Sequence, residues 1–170
     1  LRGRFRECAR LVAAIARAVA HAHARGVLHR DLKPSNIVFD AADQPLVTDF
    51  GLARFLARES SLTGIDHVIG TPRYVAPEVV ATPGERPSAA ADVYGLGAIL
   101  YEMASGQRAF PGNGVELNNA IVYGNPHPLT ETPTHAAIYR IVAECLEKDR
   151  AQRRQRIQNA VIELKLVRQE

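Results

Sequence analysis

The chain has 170 residues, 46% of them hydrophobic, enough to bury one sizeable core and to set a single domain as the expectation. The net charge of +3 is modest, and the arginines are scattered except near 150–156. With no recognised motif or aromatic platform, the balance argues against nucleic-acid binding. Cys8 and Cys145 each stand alone in helix-like contexts, against a disulfide framework and in keeping with a reducing compartment.

Residues 5–25 have few breakers, and Leu11, Ile15, Ala18 and Ala22 recur at helical spacing, so a long helix is predicted with Gly26 as its stop. His21 and His23 suggest a metal pair, but two residues apart on a helix they point about 200° away from each other. They read better as surface or satisfied core histidines. A short strand at Val27-Leu28 and another at Ile37-Val38-Phe39 are expected to bracket the loop His29-Arg30-Asp31-Leu32-Lys33-Pro34-Ser35-Asn36, with Pro34 fixing one backbone angle. That loop offers a carboxylate, an ammonium and a carboxamide. Asp31 can accept a hydroxyl proton, Lys33 can offset charge on a moving phosphoryl group, and the Asn36 oxygen can help hold Mg²⁺. The set suits phosphoryl transfer.

Residues 40–45 read as a turn and Leu46-Val47-Thr48 as a further strand. Asp49-Phe50-Gly51 follows, with Asp49 lying 18 residues beyond Asp31 after a strand–turn–strand able to return it to the same pocket. Residues 52–75 lack periodicity, and so long a loop is normally functional or disordered. Ala76-Pro77-Glu78 ends it. Residues 89–105 are apolar all round, carry only Asp92 and Glu102 as charges, and predict a buried core helix closed by Gly106. A membrane span would need about 20 apolar residues and would not include both acids. An ionised Asp92 in that setting has to be hydrogen-bonded. A Pro/Gly loop at 107–114 precedes three further helices, at 115–122, 135–147 and 151–168, the last basic at its start.

The catalytic-loop pattern at 29–36, with Asp-Phe-Gly at 49–51, Ala-Pro-Glu at 76–78, Asp92 and Arg153 in order, resembles the eukaryotic-type (Hanks-type) serine/threonine protein kinases over nearly the whole chain. The run Asp31 through Arg54 looks most like the bacterial members. The resemblance implies an α+β fold, predominantly helical, the large C-terminal lobe of a protein kinase with a few short strands near the catalytic loop. It implies transfer of the ATP γ-phosphate to Ser/Thr hydroxyls of proteins. Asp31 would be the base, Lys33 would stabilise the transferred group, and Asn36 with Asp49 would hold Mg²⁺ or Mn²⁺. Val38 would form the floor under adenine. Arg30 is the kind of cation that captures a phosphate on the activation segment. Thr63 is the first choice for that phosphate, Ser61 and Ser60 stand behind it, and Thr71 has a structural role by resemblance. Asp92 would accept backbone N–H groups of the catalytic loop, and Glu78 would pair with Arg153. The family's usual proline at 150 is replaced here by Arg150.

No Gly-x-Gly-x-x-Gly precedes position 29, and no strand lysine pairs with a helix glutamate. Lys148 and Lys165 lie far downstream. With a start at Leu1 rather than Met, the expectation is that residues 1–170 are one lobe of a longer protein, the N-terminal lobe lying outside them. Alone they should transfer phosphate negligibly. The rival reading is a catalytically silent interaction module presenting the surface around 70–120. A kinase of small molecules is disfavoured, because such relatives usually lack the Gly-Thr and Ala-Pro-Glu segment. Expected partners are ATP and a protein substrate, with no nucleic acid and no membrane contact within this segment. An activating homodimer of the full-length protein is left open. The expected location is cytoplasmic, either free or on the cytoplasmic side of a membrane anchor.

Overall fold

An all-apolar helix can be accommodated only where neighbours cover every face, and residues 89–105 meet that condition. The computed structural model describes residues 2–50, 72–82, 84–128, 136–155 and 157–167. In chain order the elements are α1 (Arg2–His23), β1 (Ile37–Phe39), β2 (Pro45–Val47), α2 (Pro77–Ala81), α3 (Ala89–Ser105), α4 (Gly114–Tyr123), α5 (Ala136–Cys145) and α6 (Ile157–Val167). The fold is α+β and predominantly helical, as the resemblance implies. Helix α3 packs against α1 on one side and α5 on the other, while α6 lies across α1 and α5, and α4 sits on α2. Val93, Tyr94, Leu96, Ile99 and Leu100 of α3 are fully buried, and so are Val12, Ile15 and Val19 of α1 and Ile138 and Ile141 of α5. Among the described residues no helix is long and apolar enough to cross a membrane.

Helix α1 ends as Gly26 predicts. The Gly26 N–H bonds to the His23 carbonyl and the Val27 N–H reaches back to Ala22, both at 3.0 Å. Gly26 takes the left-handed conformation this closure requires, at φ 73°. The same closure overturns the strand expected at Val27-Leu28. Its first N–H is spent on the helix end, and the two residues join no ladder. Strands β1 and β2 do form, as an antiparallel hairpin with Ile37 opposite Val47 and Val38 opposite Leu46. Its turn is built on Asp40, whose Oδ1 accepts the N–H groups of Ala42 and Gln44 at 2.8 and 2.9 Å. Period-two alternation sends Ile37 and Val47 onto the core and leaves Val38 and Leu46 outside.

The C-terminal helix begins later than the basic run suggests, at Ile157 rather than 151. Residues 149–153 instead form a turn on the Asp149 carbonyl, which accepts the N–H groups of Gln152 and Arg153. The Arg153 side chain explains that choice. It is 1% exposed, and its five N–H donors all find acceptors. Two go to the Glu78 carboxylate at 2.9 and 2.8 Å, and the others go to the carbonyls of Ala90, Glu147 and Lys148. One guanidinium thus joins α2, the start of α3 and the turn after α5. Arg150 makes a separate pair with Glu85 at 3.1 Å.

Two predictions follow from this packing. A Cβ at Gly97 would lie 2.5 Å from the Cys145 Cβ, where α3 and α5 cross. Gly97→Ala therefore lowers stability by about 1–3 kcal/mol, despite its better helix propensity, as a shift in the urea midpoint will show. Burial raises the Glu78 carboxyl, but the Arg153 hydrogen bonds more than offset this and hold it below its ordinary 4.5. A depressed carboxyl contributes stability that is present above pH 4.5 and lost as the pH falls through the folded-state value. Glu78→Gln should flatten that acid limb in urea titrations at successive pH values. It should also cost about 3–5 kcal/mol at neutral pH, because Arg153 is left buried without its counter-charge.

Candidate active site

The loop expected to carry the chemistry is fixed from below. Asp92, 2% exposed on the first turns of α3, accepts the N–H of Arg30 on Oδ1 and the N–H of His29 on Oδ2, each at 2.8 Å. His23, from the end of α1, places Nε2 2.7 Å from the same Oδ2. A charge so deeply buried is tolerable only with partners of this kind. Arg30 is left-handed at φ 72°, a conformation a non-glycine residue holds at a cost of about 1 kcal/mol or more. The Asp92 bond holds it there. Gly95, one turn along α3, lets the loop come close: a Cβ at that position would meet the Leu32 carbonyl oxygen at 3.0 Å.

On this base Asp31, Lys33 and Asn36 converge. The Lys33 ammonium lies 2.6 Å from Asp31 Oδ2, both side chains remaining more than a third exposed. Asn36 is buried in a short 3-10 turn (Pro34–Asn36), which the proline at its first position favours. Its amide nitrogen donates to the Asp31 carbonyl at 2.8 Å and to Asp31 Oδ2 at 3.3 Å. An exposed pair such as Asp31–Lys33 adds little to stability. What it does is set the direction of the carboxylate.

The Asp49 segment is drawn to the same place by its neighbours. Thr48 donates its N–H to the Asn36 carbonyl at 2.9 Å, and its own carbonyl lies 2.9 Å from His29 Nε2. On its other side the ring accepts the Asp31 N–H at Nδ1, at 3.3 Å. Phe50 lies against that ring, 4.8 Å between centroids. Asp49 itself is left-handed at φ 61°, with its side chain in solvent. His29 therefore links the Asp31 loop to the Asp49 segment, and His23 links α1 to Asp92. Neither role is legible in side-chain pattern alone; the one hint is that both are histidines close to the loop.

Val38 is 44% exposed on the outer face of the hairpin, opposite Leu46 at 49%. The Nε of Arg30 is buried without a hydrogen-bond partner among the described residues. Gly51, Ser60, Ser61, Thr63 and Thr71 lie outside the described residues. Among the described residues no cluster of three or more His, Cys, Asp or Glu is assembled to hold a metal unaided. Mg²⁺ does not ask for one, since it is usually held by one or two carboxylates together with substrate phosphates. The hard oxygens of Asp49 and Asn36 suit that arrangement, the Asn36 amide nitrogen being already committed to Asp31.

Near the loop, Tyr74 donates its hydroxyl to Glu102 at 2.5 Å. Burial first, and then that hydrogen bond, push the phenol up to about 12. Arg73, beside it, reaches the Phe110 carbonyl at 3.4 Å and the Asn113 side-chain oxygen at 2.8 Å. Residues 72–76 and the loop after α3 thereby form the wall of a cavity whose floor is the Asp31 loop.

Comparison with known proteins agrees with this geometry. The protein kinase domain family matches residues 4–162. Serine/threonine-protein kinase PkaA of Streptomyces coelicolor is 39% identical over 142 residues, covering 82% of this chain and 25% of that protein. PknB of Mycobacterium leprae is 36% identical over 128 residues, covering 75% of this chain and 20% of its own length. AtPK1/AtPK6 of Arabidopsis thaliana is 41% identical over 122 residues, 71% of this chain and 25% of that protein. The chain thus spans a quarter or less of these relatives. With the match running from α1 into α6, this chain belongs to the protein kinase domain family, among relatives that are serine/threonine-protein kinases and include bacterial ones.

Proposed function

We propose that the full-length protein transfers the γ-phosphoryl group of ATP to serine and threonine hydroxyls of protein substrates. The observation that carries this reading is the Asp31 carboxylate, set between the Lys33 ammonium and the Asn36 amide on a loop clamped by Asp92. In this reading Asp31 orients the acceptor hydroxyl and takes its proton. Lys33 transfers its attention from Asp31 to the phosphoryl oxygens as their charge develops. Asn36 and Asp49 hold Mg²⁺, which when bound neutralises the phosphates. Val38 offers its exposed apolar surface to the adenine ring. Arg30 receives a phosphate from the activation segment, with Thr63 as the acceptor site and Thr71 in a structural role. Little covalent chemistry is asked of the protein, so rate depends on positioning and electrostatics. Cys8 and Cys145 are buried as reduced thiols, Cys8 donating to the Met103 carbonyl at 3.3 Å, which suits the reducing cytoplasm, where ATP is at hand.

Two substitutions test the reading. Asp31→Asn in the full-length protein should lower kcat by about 10²–10⁴-fold in a radiolabelled-phosphate assay, with partner binding intact. Undiminished turnover in the variant would remove Asp31 from the chemistry, and absence of turnover in the unsubstituted protein would leave the interaction-module reading in its place. Asp92→Ala leaves the His29 and Arg30 N–H groups buried and unpaired, at about 1–3 kcal/mol each. Its kcat should fall even at temperatures where circular dichroism reports a fully folded protein.

A further inference from the structure

Among the described residues, the cavity over the catalytic loop, about 340 Å³, is lined by more cations than carboxylates. Four cations line it, Arg30, Lys33, Arg73 and Arg108, against two carboxylates, Asp31 and Asp92. Both carboxylates are already engaged. Asp31 holds Lys33, and Asp92 holds two backbone N–H groups and His23. The three guanidiniums are therefore left without a carboxylate partner among the described residues.

Arg30 is assigned above to a phosphate of the protein's own chain. Arg73 and Arg108 have no such assignment. The acceptors of Arg73, a carbonyl and a carboxamide, orient its guanidinium without cancelling its charge. Arg108 is exposed and makes no hydrogen bond or ion pair among the described residues. Both guanidiniums line the cavity together with Tyr74, and the charge of each favours the ionised form of its hydroxyl. The neighbouring carboxylate, Glu102, accepts the Tyr74 hydroxyl and pairs with neither arginine. Two guanidiniums lining one concave site with the Asp31 carboxylate can act together as a fork for an anion.

We infer that Arg73 and Arg108 select acceptor segments bearing an anionic side chain, a carboxylate or a phosphate, within a few residues of the serine or threonine to be modified. This rests on the kinase reading and adds the substrate class to it. Cationic flanks meet the same arginines as repulsion, so the discrimination works in both directions.

The test uses the full-length protein and a family of peptides identical except for one flanking position occupied by Glu, phosphoserine, Gln or Lys. The anionic peptides should exceed the Gln peptide in kcat/KM by about tenfold, and the gap should narrow with added salt. The order of the Glu and phosphoserine peptides tells which anion the fork takes. Arg108→Gln should shrink the ratio of Glu to Gln peptides, and Arg108→Glu should turn the preference toward Lys. Equal rates for all flanks in the unsubstituted protein overturn the inference, as does a preference unchanged in Arg108→Glu. If no peptide of any composition is phosphorylated, the kinase reading fails, and fluorescence anisotropy of the labelled Glu peptide then judges the cleft by itself. Salt-sensitive binding weakened in Arg108→Glu upholds the anion site, and the absence of such binding refutes it.

Discussion

One buried carboxylate governs the geometry of the site. Asp92 sits in the least polar helix of the molecule, where an ionised group is costly unless every lone pair is used. Its two oxygens take the backbone of His29 and Arg30 and the ring of His23. The requirement to satisfy this charge fixes the loop, so that the loop inherits the rigidity of the core beneath it. A flexible eight-residue segment between a helix end and a two-stranded hairpin would otherwise have little to hold it. The left-handed Arg30 shows the force of the constraint, because a relaxed loop would abandon that conformation.

A second buried charge plays the same part for the opposite wall. Arg153 binds α2, α3 and the turn at 147–153 through five donors, and Glu78 answers it from the first turn of α2. The segment that leads into α2 contains Arg73 and Tyr74, so the anchor of α2 also steadies the cavity wall. The two networks meet at the beginning of α3, where Ala90 accepts from Arg153 and Asp92 accepts from the loop. Stability and positioning are served by the same few residues.

Much of this was legible in the residues, and the exceptions share a cause. Helix α3 announced itself through its want of charge, and α1 through its period and Gly26. Asp31, Lys33 and Asn36 were legible as a set because the chemistry they suit needs those three groups in one loop. What failed was backbone bookkeeping. Val27-Leu28 looks like a strand by composition, but its N–H closes α1, and no side-chain pattern records that. The basic run at 151–156 looks like a helix start, but Arg153 is held in a turn by acceptors distant in sequence. That Arg73 and Arg108 line one cavity was equally invisible, since it depends on how the loop after α3 folds back over residues 72–76.

The Lys33–Asp31 contact joins two groups that the proposed reaction would ask to serve different partners. Its cation rests on its own anion, with both side chains still partly open to water. In the kinase reading, a polyphosphate would offer the ammonium a second oxyanion, and the carboxylate would then be left to an alcohol. Readiness of the carboxylate would thus be coupled to occupancy by the donor, through nothing more than competition between two oxyanions for one amine.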